Sequence, residues 1–338
     1  MELDDFLKGT RKLIKDGYLP NDYLADLLGE PYRIYRKEWN NADKSNTAIP
    51  EFPLQLDFQL NNRCNYRCIM CYWGSPEELS DWSNPAREFP FEKFCEIVSH
   101  GVRNNNLKAI NFEGLNEPLL KKDLPEYIAF ANKMGVLDLT LHTNGLLLDR
   151  DWSEKLIESG LTRLMVSIDA FSKETYLKIR RSNRYEQVVK NIGIFLKART
   201  ELGAILPLLR VSFIHHPFNI HEAEDFRKFW EKYADYILMQ EYFDIPNLLP
   251  EREFVMKDSY SDGFCQQPFY RMSIKANGDV FPCCCSLGHV YLVGGNVFKS
   301  SVPDLWKSDE FEKIRQVHKK GKYYEIHACK ICLGKVFF

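Results

Sequence analysis

The stretch Cys64-Asn65-Tyr66-Arg67-Cys68-Ile69-Met70-Cys71 places three thiols within eight residues. A single zinc ion takes four ligands, commonly as two CxxC-like pairs. A cubane [4Fe–4S] cluster has four irons and is normally held by four thiolates. Three thiolates on one loop leave one iron of such a cluster open, and an open iron can bind a small molecule. A second group of thiols lies far along the chain: six of the ten cysteines follow residue 264, including Cys265, the run Cys283-Cys284-Cys285 and the pair Cys329 and Cys332. Four thiols drawn together from distant sequence suit either zinc or an iron–sulfur cluster. The remaining cysteine, Cys95, sits inside FEKFCEIVSH, a helical pattern, and reads as a small buried hydrophobe.

The elements around these thiols set where they stand. PLQLDFQL, residues 53–60, alternates: Leu54, Leu56, Phe58 and Leu60 share one face, and Gln55, Asp57 and Gln59 the other. It runs straight into the first cysteine loop, and α/β barrels carry their active sites at the C-terminal ends of strands. Five more strand–helix pairs follow before residue 245. Their second faces carry Asn111 and Glu113, Thr140 and His142, Met165, Ser167 and Asp169, then Arg210, Ser212 and His216. This alternation predicts a parallel α/β sheet, a partial (β/α)6 TIM-like barrel with a polar lumen. After residue 264, RMSIKANGDVFPCCC reads as a hairpin turning at Asn277-Gly278, followed by a helix in SDEFEKIRQVHKK. The expected organisation is a helical extension over 1–50, a barrel over 51–245 and a small β-hairpin/helix domain over 246–338. The extension is expected to cover the bottom or side of the barrel or to meet a partner.

Bulk properties narrow the function. A chain of 338 residues with 45% hydrophobic content fits two domains, or one barrel with an appendage. A net charge of −2 gives no signal for nucleic acid. The N-terminus MELDDFLKGT is acidic without an apolar signal-peptide region, and no apolar run approaches the ~18 residues of a membrane span. The expectation is a cytoplasmic protein whose cysteines bind metal.

CxxxCxxC after a barrel strand resembles the signature of the radical SAM superfamily, whose open iron chelates the amino and carboxylate groups of S-adenosylmethionine (SAM). The resemblance extends over residues 53–335. Gly114-Leu115-Asn116-Glu117-Pro118 is similar to the family's glycine-glutamate-proline loop, with Asn116 where glycine is usual, and implies Glu117 near the SAM amino group. Thr143-Asn144-Gly145 resembles the family's turn beside the cofactor. Ser167 and Asp169 correspond to the family's fourth-strand serine and aspartate near the ribose and methionine portions. Arg180 or Arg181 corresponds to an arginine near the SAM carboxylate. The tail resembles the SPASM/Twitch extension in its one-cluster form. That implies a second, auxiliary [4Fe–4S] cluster held by Cys265, Cys283, Cys329 and Cys332, with Cys284 and Cys285 as rivals for Cys283.

The resemblance implies cleavage of SAM by a reduced cluster to a 5′-deoxyadenosyl radical, hydrogen-atom abstraction from substrate, and a flavodoxin- or ferredoxin-like electron donor. The expected substrate is a small polar molecule of sugar or cyclitol type, because residues 1–50 are shorter than the leader-binding module of the family's peptide enzymes. The expected outcome is net oxidation, with His216 or Arg210 assisting at the substrate hydroxyl. Asp57, Gln59, Asn111, His142 and Tyr242 complete the lumen candidates. The alternatives are peptide cross-linking or epimerisation, with Cys284, Cys285 or Tyr242 returning hydrogen, and, in another class, a non-catalytic electron carrier or a zinc-bound interaction protein.

Overall fold

The computed structural model describes residues 3–15, 17–42, 49–74, 86–103, 107–242, 263–284 and 294–333. Cys285 and the proline-containing segment 246–262 lie outside them. Six parallel strands form the barrel wall: β1 (Gln55–Phe58), β2 (Ala109–Phe112), β3 (Asp138–Thr143), β4 (Arg163–Ser167), β5 (Leu208–His215) and β6 (Tyr236–Glu241). Helices α4 (Phe91–Arg103), α5 (Leu124–Lys133), α6 (Arg150–Glu158), α7 (Lys173–Arg180), α8 (Tyr185–Glu201) and α9 (Ala223–Trp230) connect them. The outward residues Leu56, Phe58, Ile110, Phe112, Leu139, Leu141, Leu164, Val166, Leu209, Val211 and Phe213 are buried. α4 shows how a helix is fixed there. Phe94, Ile97, Val98 and Gly101, at i, i+3, i+4 and i+7, form its buried stripe. A Cβ on Gly101 would come within 2.6 Å of the Phe52 ring, so the close approach needs glycine. Truncating the fully buried Phe94 to Ala would cost about 3–5 kcal/mol.

The barrel is open, and its seam holds the main departure from the sequence expectation. The hairpin expected in the tail is present as β7 (Arg271–Ile274) and β8 (Val280–Phe281), turning at Gly278 with φ +85°. It does not stand apart. β7 pairs in parallel with β1, giving an eight-stranded sheet in the order β6-β5-β4-β3-β2-β1-β7-β8. Without it β1 would be an edge with unpaired backbone groups, and covering such an edge is a general requirement. The short helix α10 (Gln267–Tyr270) leads into β7; α11 (Val302–Trp306), α12 (Asp309–Lys319) and α13 (His327–Leu333) complete the tail.

The N-terminal extension closes the bottom of the barrel. α1 (Leu3–Leu7) packs on α8, where a Cβ at Gly193 would meet the Phe6 carbonyl oxygen. α2 (Pro20–Leu28) and α3 (Glu30–Asn41) bring Asn21 and Tyr32 to the N-terminal strand ends. Arg163 Nη2 donates to Asn21 Oδ1 at 2.7 Å and to Tyr32 Oη at 2.6 Å, and its Nε donates to Asp138 Oδ1 at 2.9 Å. This buried ion pair is satisfied on both sides, as a charge far from water requires. No helix of the described residues is long and apolar enough to cross a membrane.

Candidate active site

The first cysteine loop leaves β1 and winds into a short 3-10 turn, Tyr72–Gly74. Cys71 N donates to Cys68 O at 3.1 Å, Gly74 N to Cys71 O at 2.8 Å and Ile69 N to Ile179 O at 2.9 Å. A Cβ on Gly74 would lie 2.0 Å from the Cys68 carbonyl oxygen, so only glycine lets the loop close. Tyr66 N donates to Cys64 Sγ at 3.5 Å, and Arg180 Nη1 to Cys68 Sγ at 3.4 Å. Burial pushes the Cys64 thiol up to about 12, with Glu117 and then the neighbouring thiols adding to it, and the Cys71 thiol up to about 11, with Cys68 adding to it. Amide and guanidinium donors aimed at crowded sulfurs suit thiolates that share a metal cluster.

The loops expected to touch SAM are tightly braced by one another. Glu117 is buried; its Oε1 accepts from Leu119 N at 3.0 Å and Thr143 Oγ1 at 2.7 Å, and its Oε2 from Asn144 N at 2.8 Å. Burial nonetheless raises its pKa. Asn144 Nδ2 reaches Asn65 Oδ1 in the cysteine loop at 2.7 Å. Asp169, at a left-handed φ of +60°, accepts from Ile214 N at 2.8 Å and forms an ion pair with Arg180. Burial works against the Arg180 charge, and Asp169 and Cys68 more than restore it. Arg181 donates to Gly74 O at 3.1 Å. Both carboxylates therefore already have protein donors, whereas Ser167, beside Ser212 on β5, faces an open cavity. The amide of Asn116 has no partner for either atom among the described residues.

That cavity, about 710 Å³, is the lumen itself. Its wall includes Asn111, Glu113, His142, Ser167 and Arg210 together with Cys265, Cys283, Cys284, Cys329 and Cys332. The second thiol set thus opens onto the lumen. Burial, then neighbouring thiols, pushes Cys265 up to about 12 and raises Cys329; for both, Cys283 is the foremost thiol neighbour. Cys284 instead has its Sγ 3.2 Å from Arg271 Nη1. His318 accepts from Cys265 N at Nδ1, 3.2 Å away, which leaves Nε2 protonated and pointing at Cys329 Sγ, 3.4 Å away.

Arg271 ties the tail to the lumen. Its Nε lies 3.1 Å from Asp57 Oδ2, its Nη1 donates to Gln267 Oε1 at 2.8 Å, and its Nη2 is 3.8 Å from Glu113 Oε1. Asp57 also accepts from Gln55 Nε2 at 2.6 Å and Ser273 Oγ at 2.7 Å. Burial pushes Asp57 up to about 6, with Glu113 adding to it and Arg271 opposing. His142 Nε2 sits 3.1 Å from Glu113 Oε2; burial, with Arg210 and Arg271 nearby, holds its pKa well below the usual range, so the ring is neutral.

Of the residues expected to assist chemistry, Arg210 lines the cavity. His216 and Tyr242 do not: both are buried, ring against ring at 5.2 Å beyond the end of β5, and His216 Nδ1 accepts from Phe218 N. The alternation of β5 ends at His215, so extending its inward face one step further misplaced His216. Arg271 and His318 escaped the sequence reading. Their signal was an arginine six residues after the first tail cysteine and a histidine eleven before Cys329, neither diagnostic before the hairpin is seated on β1.

Comparison with known proteins agrees with this geometry. The Radical SAM superfamily matches residues 58–229, half of the chain, and an iron–sulfur cluster-binding domain, SPASM, matches residues 265–333. The GTP 3',8-cyclase of Aliarcobacter butzleri is 26% identical over 70% of this chain and 82% of its own length. The probable GTP 3',8-cyclase of Methanocaldococcus jannaschii is 31% identical over 52% of this chain and 54% of its own. The chain spans about half the length, or less, of most curated relatives it matches. Among solved structures, Streptococcus suis SuiB bound to S-adenosylmethionine superimposes with a TM-score of 0.62 at 17% identity, over 96% of this chain and 80% of that one. BtrN in complex with AdoMet and 2-DOIA gives 0.51 at 16% identity, over 83% and 93%. The chain belongs to the radical SAM superfamily, carries a C-terminal SPASM iron–sulfur domain, and has [4Fe–4S] clusters and S-adenosylmethionine as its cofactors.

Proposed function

We propose that this enzyme oxidises a small polar, hydroxylated substrate of sugar or cyclitol type by two electrons. The supporting observation is the shared cavity: the polar lumen and the tail thiols line one space. When bound, the cluster on Cys64, Cys68 and Cys71 with SAM would supply a 5′-deoxyadenosyl radical, and the cluster on Cys265, Cys283, Cys329 and Cys332 a one-electron acceptor. For an alcohol the balance is one hydrogen atom from carbon, one electron, and one proton from oxygen. Among the groups lining the lumen, Glu113 and neutral His142, beside each other, would take that proton. In this reading Glu117, Thr143, Asn144, Asp169 and Arg180 hold the loops that shape the SAM site, and Ser167 faces SAM. His216 and Tyr242 support the end of β5 from outside the cavity. Residues 1–50 form the floor, 51–245 the barrel and 246–338 the cluster domain. The setting is cytoplasmic and low in oxygen, with a flavodoxin- or ferredoxin-like donor and with no nucleic-acid or membrane partner.

A second reading has its own support. SuiB bound to the precursor peptide SuiA superimposes over 99% of this chain with a TM-score of 0.63, and anSMEcpe with the Cp18Cys peptide gives 0.59. In it the lumen receives one side chain of a peptide. Turnover in deuterated water with SAM and dithionite decides, using cyclitols, sugars, GTP and cysteine- or serine-containing peptides. The proposal expects a sugar or cyclitol product two hydrogens lighter with no deuterium on carbon. Turnover of only peptide or GTP, or an unchanged hydrogen count with one carbon-bound deuterium, overturns it.

A further inference from the structure

Four arginines line the lumen cavity: Arg36, Arg163, Arg210 and Arg271. Three are occupied. Arg163 is held by Asp138, Tyr32 and Asn21. Arg271 is held by Asp57, Gln267 and Cys284. Arg36 lies over the Trp39 ring at 4.7 Å. Arg210 makes no hydrogen bond or ion pair among the described residues, and its Nε is buried without a partner. Its surroundings compensate only in part. His142 is neutral, and the strand register sets Met165 on one side of Arg210 and Tyr236 on the other. Burial lowers its pKa; Tyr236 and then Glu113 offset part of this, and the Arg163 charge adds to it. The residue as a whole is half-buried, so its guanidinium stands at the cavity wall with Nε shielded and without a partner, which an incoming anion would supply. Ser167 and Ser212 pair one layer nearer the strand ends, where the first cysteine loop stands, so Arg210 lies deeper than the site assigned to SAM.

We infer that the substrate carries an anionic group, a carboxylate or a phosphate, on its hydroxylated skeleton, and that Arg210 binds it. This rests on the reading of the lumen as a small-molecule site and adds the charge of the molecule that enters. Guanidinium donates two parallel hydrogen bonds to either anion, so both fit its chemistry. With the anion anchored at Arg210, the hydroxylated end is left between Glu113 and His142 on one side and the mouth on the other.

The test uses the anaerobically reconstituted enzyme with SAM present and two probe pairs in calorimetry: D-ribose 5-phosphate against D-ribose, and D-glucuronate against D-glucose. The anionic member of at least one pair should bind about tenfold or more tighter, the size expected of one charged hydrogen-bonded contact. Which pair shows the preference tells phosphate from carboxylate. Arg210→Met should erase the preference and Arg210→Lys should keep part of it. Equal binding within both pairs, or a preference that survives Arg210→Met, overturns the inference. So does a loss of SAM affinity in Arg210→Met, which would assign the guanidinium to the cofactor's carboxylate. Failure of the underlying reading looks different: wild-type enzyme that forms no 5′-deoxyadenosine with SAM and dithionite, whatever the sugars do.

Discussion

The two cysteine sets are built in opposite ways. The first is local: one loop of eight residues, closed by Gly74 and braced by Arg180 and by the Asn65–Asn144 bond. Its thiols are not part of the lumen wall. The second is assembled from three separate pieces: the approach to β7, the end of β8 and the helix α13. It is held in place because β7 is hydrogen-bonded to β1, the same strand that launches the first loop. One strand thus carries a thiol loop at its end and the seat of the other set at its side. The local set lies on a loop outside the sheet, and the assembled set is tied to the lumen through Arg271. A chain that must keep two redox sites apart yet within one substrate's reach can do so with a single shared strand.

Separate sites should fail separately. Cys68→Ala is expected to give a folded protein with no SAM cleavage and about four irons, against about eight for two cubanes; retained 5′-deoxyadenosine formation would break the assignment of the first loop. Cys329→Ala with Cys332→Ala should also leave about four irons, but with SAM cleavage persisting uncoupled from product; iron still near eight would make the ligand set wrong. Arg271→Met removes the tie between tail and lumen. It leaves Asp57 buried without its cation and should destabilise the protein by about 3–5 kcal/mol in denaturant unfolding. Adding Asp57→Asn should recover most of that loss, because the stranded charge is gone.

The smallest effect expected is a pH dependence of the apoprotein. Asp57 and Glu113 share one arginine, so burial raises the Asp57 pKa to about 6 from an ordinary carboxylate value. A raised folded-state pKa gives stability that is present below pH ~4 and is lost as pH rises through about 6. Between pH 5 and 7 the wild type should lose on the order of 1–2 kcal/mol relative to Asp57→Asn. A difference independent of pH would mean that the pair titrates elsewhere.

Much of this was readable from residue patterns. The six barrel strands, their polar inner faces and both thiol sets follow from alternation and spacing, which are local properties. Three things were not readable. The parallel pairing of β7 with β1 joins residues more than two hundred apart, and no local pattern encodes which strand covers an open edge. Arg271 and His318 take their meaning from that pairing. Glu117 and Asp169 stand in motif positions, but their oxygens face backbone amides, a hydroxyl and an arginine of neighbouring loops, which only the packed structure specifies.

The most direct test of the central claim is to reconstitute the chain anaerobically, reduce it with dithionite, add SAM and measure 5′-deoxyadenosine. The account predicts 5′-deoxyadenosine and methionine in equal amounts from the wild type and from the Cys329→Ala, Cys332→Ala variant, and none from Cys68→Ala. A brown, iron-loaded wild-type protein that forms no 5′-deoxyadenosine would contradict it and leave an electron carrier in its place.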